Sequence, residues 1–345
     1  MKEIVVGPNE AGQRLDKLLK KYLNEAPKSF LYKMLRKKNI VLNKKKAFGN
    51  EKLAAGDRIT LFLSDDTVEK FSRNIRPVCD ISAFPLDILY EDAHIILINK
   101  PAGVLSQKAR AGDLSVIEAV TAYLLREGGL TEKELRTFRP SVCNRLDRNT
   151  SGLIVAGKSL LGLQTMAELL KTRAVAKYYL CFVKGKISEA RSISGYLKKD
   201  GAENKVEIIS KTDEREKITA IQQEGYVPIE TEYVPMAYNQ NMTLLKVHLI
   251  TGRTHQIRAH LAVQGHPILG DYKYGEERWN WSFRKRYHID AQLLHAYQLE
   301  FPKLNPPFSD LSGRTYRAKV PPVFWKLIEE TTWEHGIQEA LEVLH

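Results

Sequence analysis

Three stretches of the 345-residue chain gather side chains that can do chemistry. The first is Cys143-Asn144-Arg145-Leu146-Asp147-Arg148-Asn149-Thr150-Ser151-Gly152, followed at once by apolar Leu153-Ile154-Val155. An acid between two arginines is expected to carry its charge, because neighbouring cations favour the ionised form of a carboxylate. Taken alone, the same pattern also describes a surface ion-pair cluster. The second stretch, Lys177-Tyr178-Tyr179, opens a strand-like run. Paired tyrosines usually pack, whereas a ring facing a cleft offers a platform on which a base can stack. The third is Thr251-Gly252-Arg253-Thr254-His255-Gln256-Ile257-Arg258-Ala259-His260. There a strand end, a glycine turn and a helix start set two arginines beside backbone N–H groups, a geometry suited to an anion. His255, His260 and His266 lack the i, i+4 spacing of a helical zinc pair and the acid of H-E-x-x-H, so no metal is expected.

The surrounding pattern must hold these groups in place. Ile88-Leu89-Tyr90 and Ile95 to Ile98, separated by polar Glu91-Asp92-Ala93-His94, predict a hairpin that ends at Lys100-Pro101-Ala102-Gly103. Val116, Ile117, Val120 and Leu124 predict a helix, as do Leu163, Met166, Ala167 and Leu170. From Lys177 to about Ile250 strands dominate, among them YYLCFV, TEYVP and TLLKVHLI. Thr254 is expected to cap a short helix carrying Ile257 and Leu261. Strands outnumber helices without regular alternation, so the class expected is α+β with a mixed, mainly antiparallel sheet.

Charge adds a second theme. The chain has 53 Lys/Arg against 41 Asp/Glu, a formal charge of +12, yet residues 1–64 hold 15 Lys/Arg against only 6 Asp/Glu. A compact basic module on a nearly neutral body suggests an appendage that grips a polyanion. Leu15, Leu18, Leu19 and Tyr22 set one helix; Leu31, Met34 and Leu35 set another, with Ser29 as its expected N-cap. Ile40-Val41-Leu42 and the alternating Ile59, Leu61, Leu63 read as strands. Composition is ordinary for a globular chain, with 43% hydrophobic and 27% charged residues, which excludes a disordered or collagenous one. No apolar run approaches the ~18 residues of a membrane span, and MKEIVVGPNE has no secretory apolar core. Three scattered cysteines give neither a disulfide framework nor a zinc site. A cytoplasmic protein without membrane association is expected.

The module, with GQRLDKLL, KMLRKKNIVLNKKK and LAAGDRITLFL, resembles the S4 RNA-binding domain. That likeness implies phosphate contacts from Arg14, Lys33, Arg36, Lys37, Lys38, Lys44 and Lys45. The body resembles the RluA family of pseudouridine synthases. Its motifs read ILINKPAGV, NRLDRNTSGLIVAGKS, KYYLCFVKG and TGRTHQIRAHLAVQGHPILGDYKYG, in the family's order, with a weaker LLHAYQLEFP continuation. The resemblance implies a cofactor-free isomerase that turns uridine of RNA, in the S4-bearing subgroup that of large-subunit ribosomal RNA, into its C5-glycoside. On it, Asp147 is the essential carboxylate, Arg258 its ion-pair partner, and Tyr179 the residue against the everted base. Arg145 helps displace that base, and Arg253, His255 and Gln256 are further RNA contacts. Asn144 stands where many relatives have His, a position to which the family mechanism gives no proton-shuttle task.

The expected organisation is an S4-like domain at 12–64, a linker at 65–80, a catalytic domain at 81–330 and a helical extension at 331–345, acting as a monomer on RNA. The competing reading is a catalytically inactive RNA-binding or ribosome-assembly factor on the same scaffold. Retention of Asp147, Tyr179 and Arg258 together speaks against it. A nucleoside hydrolase would want a second carboxylate poised for water, and no motif supplies one.

Overall fold

The computed structural model describes residues 1–72, 85–110, 112–201, 203–211 and 215–344. The chain divides into two compact units, Met1–Leu97 with Gln107–Asn144 and Val155–Glu168, and Ile98–Ser106 with Arg145–Ile154 and Leu169–His345.

The first unit opens with β1 (Lys2–Val5), α1 (Leu15–Tyr22), α2 (Lys28–Arg36), β2 (Ile40–Leu42), β3 (Lys45–Lys46), β4 (Arg58–Leu61) and α3 (Asp65–Phe71). Its four strands pair antiparallel in the order β1-β4-β2-β3. The helical spacing of Leu15, Leu18 and Leu19 buries all three fully against Leu31, Leu35, Ile40 and Ile59. Pro27, not Ser29, precedes α2, and no side chain caps it. Where the sequence suggests the start of a linker, α3 forms instead. Ser64 accepts the Thr67 N–H, Asp65 and Asp66 sit in the electropositive first turn, and Val68 joins the module's core. The remainder of that stretch, 73–80, lies outside the described residues.

Within this unit, polar contacts also reach the basic module from residues far along the chain. The Thr137 hydroxyl donates to buried Glu10 at 2.6 Å, and the Arg136 guanidinium lies 4.3 Å over the Tyr22 ring. These contacts between polar groups far apart in sequence fasten residues 136 and 137 to the basic module. The unit also contains β5 (Ile88–Glu91), the start of β6 (Ile95–Lys100), α4 (Val116–Arg126), β7 (Ser141–Val142), the end of β8 (Ser151–Gly157) and most of α5 (Leu160–Lys171).

The second unit continues with β9 (Ala176–Lys184), β10 (Arg191–Asp200), β11 (Lys205–Ser210), α6 (Arg215–Gln223), β12 (Val227–Tyr238), β13 (Met242–Leu249), α7 (Gln256–Val263), α8 (Glu277–Tyr287), β14 (Leu294–Glu300), β15 (Thr315–Arg317), α9 (Pro322–Glu330) and α10 (Ile337–Leu344). Its sheet runs β11-β10-β12-β13-β9-β14-β8, with β15 on β14. Every pair is antiparallel except β14 with the start of β8, so the fold is α+β with a mixed, mainly antiparallel sheet. Alternation along β9 sends Tyr179, Cys181 and Val183 to one face, where Ile257 and Leu261 of α7 cover them. Leu180 and Phe182 point to the other, under Phe324, Leu327 and Leu344 of the C-terminal helices. Burial on both faces explains why YYLCFV is continuously apolar.

Candidate active site

The Asp147 loop is held from both sides by its own unit. The Ser106 hydroxyl donates to the Leu146 carbonyl (2.8 Å) and accepts the Leu146 N–H (3.0 Å). On the other side, the Lys100 ammonium donates to the carbonyls of Pro101, Val104 and Arg148 at 2.8–2.9 Å. Gly103 N–H also reaches the Arg148 carbonyl. Burial pushes Lys100 down to about 7, with the Asp147 charge opposing; the three carbonyls match the three donors of its charged form. Gly152, at φ +106°, closes the loop where a Cβ would lie 2.2 Å from the Ala296 carbonyl oxygen.

The carboxylate itself meets a guanidinium. Arg258 Nη1 donates to Asp147 Oδ2 at 2.9 Å. Its Nε and Nη2 form a fork on Asp271, at 2.7 and 2.9 Å. Asp271 has no solvent exposure, and its Oδ1 also accepts the N–H groups of Lys273 and Tyr274. Burial works against the Arg258 charge, but the two carboxylates outweigh it and hold the pKa above its ordinary value. The Tyr274 ring lies 5.3 Å beneath the same guanidinium. Asp147 keeps 26% of its side-chain surface open, so one face of a firmly held carboxylate remains available to a ligand.

His255 closes a second side, its Nε2 3.7 Å from Asp147 Oδ2 and its Nδ1 2.9 Å from the Tyr274 hydroxyl. Burial pushes its pKa below the usual imidazole value, with Asp147 opposing and Arg258 and Lys273 adding. A neutral ring beside a carboxylate favours the tautomer with hydrogen on Nε2. Tyr179 is 7% exposed, and burial, then the Asp147 charge, raises its pKa. Its hydroxyl therefore stays protonated at neutral pH.

The structure thus brings Asp147, Arg258, His255 and Tyr179 together. Arg145 and Arg253 are exposed near them in sequence. Gln256 lies inward: it is 2% exposed, and its amide is engaged by Thr251 and the Arg253 N–H on one side and by the Glu230 carbonyl and Thr231 on the other. It builds the turn. Thr254 does not cap α7, since His255 occupies that place in a left-handed conformation. Two residues of the site, Lys100 and Asp271, carried no assignment in the sequence, although both lie inside quoted motifs. In the first unit, Lys33, Arg36, Lys37, Lys38, Lys44 and Lys45 are exposed and, among the described residues, form no ion pair. Arg14 is exposed but forks onto Asp16.

Residues 94–263 match the family described as RNA pseudouridylate synthase. The chain is 32% identical over 311 residues to ribosomal large subunit pseudouridine synthase C of Escherichia coli strain K12, covering 87% of this chain and 88% of that one. It is 30% identical over 310 residues to the protein of the same name from Haemophilus influenzae, covering 87% of each. Among solved structures, Human RNA Pseudouridylate Synthase Domain Containing 4 superposes with a TM-score of 0.53 at 21% identity, over 72% of this chain and 94% of that one. At that identity the likeness speaks to the fold.

Proposed function

Since the chain belongs to the RluA-type RNA pseudouridine synthases, we propose that it isomerises uridines of large-subunit ribosomal RNA through Asp147. One observation carries the assignment of the site. The Asp147 carboxylate is partly open, fixed at its backbone on both sides, and bonded to a guanidinium that a second, buried carboxylate immobilises.

Isomerisation breaks the N1–C1′ bond, turns the uracil and joins C5 to C1′. The base must leave its stack first, at a cost of a few kcal/mol. An ionised oxygen near C1′ then acts as nucleophile or promotes loss of a sugar proton. Locking Arg258 on Asp271 means that the carboxylate's orientation is set before substrate arrives, which is where such geometry contributes most. Tyr179, a neutral phenol in the resting site, serves as a wall for the uracil, because it would have to lose its own proton before taking one from C5. Arg145, exposed beside the loop, helps displace the target base, and Arg253, exposed at the turn before α7, is a further RNA contact.

Residues 12–64 act as an S4-like RNA-binding domain in this proposal. The six exposed cations of α2, the turn after it and the β2–β3 hairpin, which form no ion pair among the described residues, support it, since phosphate contacts give affinity without sequence choice. The protein would work as a monomer in the cytoplasm. The test is release of tritium from unmodified large-subunit RNA containing 5-tritiated uridine. Isomerisation releases label and keeps the base, hydrolysis frees uracil, and a non-catalytic binder does neither. Asp147→Ala should abolish release while RNA affinity largely survives; turnover well above background in that variant would refute the assignment.

A further inference from the structure

Helix α8 follows the Asp271 turn and is bolted to it. Asn280 is 1% exposed; its Oδ1 accepts the Gly270 N–H at 2.9 Å and its Nδ2 donates to the Asp271 carbonyl at 3.0 Å. Trp279, Phe283 and Tyr287, four residues apart, pack on the C-terminal core. The helix is therefore rigid, one residue's contact away from the carboxylate that orients Arg258.

Its outward face is unlike an ordinary solvated helix. Trp281 is 62% exposed and Tyr272, in the turn below, 49%. Each ring carries a cation: Lys285 Nζ lies 5.6 Å from the Trp281 centroid, and the Arg284 guanidinium 5.9 Å from that of Tyr272. Residues 276–288 hold four Lys/Arg against two Glu. Arg284 pairs with Asp290 and Arg286 with Glu330, and Glu276 is taken by Lys184. Arg278 and Lys285 have no carboxylate partner among the described residues. Exposed rings beside Arg278 and Lys285, the two cations without a carboxylate partner, complement unpaired nucleotides, with bases on the rings and phosphates on the cations.

We propose that this face of α8, with Tyr272, binds unpaired nucleotides of the substrate RNA flanking the target uridine. The inference rests on the isomerase reading above and adds a second contact surface to it, in the same unit as Asp147. Neither Trp281 nor Lys285 touches the catalytic groups, and Trp281→Ala places the best helix former at an exposed helical position, so folding is unaffected.

The full-length protein is irradiated with a protein-free large-subunit RNA transcript containing 4-thiouridine, and the cross-linked peptide is identified by mass spectrometry. Cross-links within 272–285, and a Kd for that transcript raised about fivefold or more by Trp281→Ala, are the expected result. Trp281→Phe, which keeps a ring, should restore most of the affinity, and Arg278→Gln with Lys285→Gln should flatten the salt dependence. No cross-link in this segment together with an unchanged Kd overturns the proposal. So does a defect seen only with ribosomal particles and not with bare RNA, which would mark a protein partner. Tritium release by the unaltered protein is followed alongside: its absence would strike the isomerase reading, whereas its presence with an inert α8 would strike this one alone.

Discussion

Asp271→Asn is the change that isolates the clamp behind the reactive carboxylate. The native side chain accepts four hydrogen bonds, two from Arg258 and two from the Lys273 and Tyr274 amides, with no exposure to water. An amide has one oxygen. If that oxygen keeps the Lys273 and Tyr274 amides, the NH2 group is set against Arg258 Nε, donor against donor where 2.7 Å now separates an ion pair. If the amide flips, the backbone donors lose their acceptor. Either way a buried pair is broken, a loss of about 3 kcal/mol or more in stability. The freed guanidinium then swings on Asp147 alone, and a displacement of about 1 Å at the reacting group costs roughly a hundredfold in rate. Urea unfolding measures the first quantity and single-turnover tritium release the second. A variant within about 0.5 kcal/mol of the parent that also turns over at the parental rate would show that Asp271 is not what holds Arg258 in place.

Three further outcomes are expected. Replacing Lys37, Lys38, Lys44 and Lys45 together with Gln should weaken RNA binding and shallow its logarithmic salt slope by up to about 0.7–0.9 per lost phosphate contact; an unaltered slope would mean that these lysines only solubilise the module. His260 and His295 are buried, and burial pushes each down to about 4 from 6.5. The unfolded chain therefore binds more protons between those values, so stability should fall as pH drops from 6.5 towards 4, by up to about 3 kcal/mol per histidine, and His260→Gln should reduce that fall in pH-dependent urea melts. Gly152→Ala should destabilise by about 2 kcal/mol or more, because φ +106° and the Ala296 carbonyl both oppose a Cβ; a melting temperature equal to the parent's would contradict the close β14–β8 approach.

Much of the site is legible in the sequence because motif order carries it: Asp147, Tyr179 and Arg258 lie in three separated runs that the sheet brings to one place. Asp271 is not legible, since an acid between Gly270 and Tyr272 looks like any turn residue until the far side of Arg258 is seen. Gln256 has a structural task that its motif does not announce. A polar residue inside a catalytic motif invites a ligand-facing role, but the turn after β13 leaves backbone groups of Glu230 and Arg253 unsatisfied, and the glutamine amide serves those. Among elements, long apolar runs such as YYLCFV announce their strands, whereas α3 was hidden by its polar surface. Only Val68 and Phe71 turn inward there, too few for a periodic signal.

Arg258 stands between two acids with one charge to offer, and the imidazole next to them is neutral. With the Lys100 ammonium behind the loop, two carboxylates face two cations, so the heart of the site offers a polyanion no net attraction. Arg145 and Arg148, flanking Asp147 at the surface, supply that attraction, so replacing both with neutral residues would leave the approach to the carboxylate without the charge that draws in phosphates.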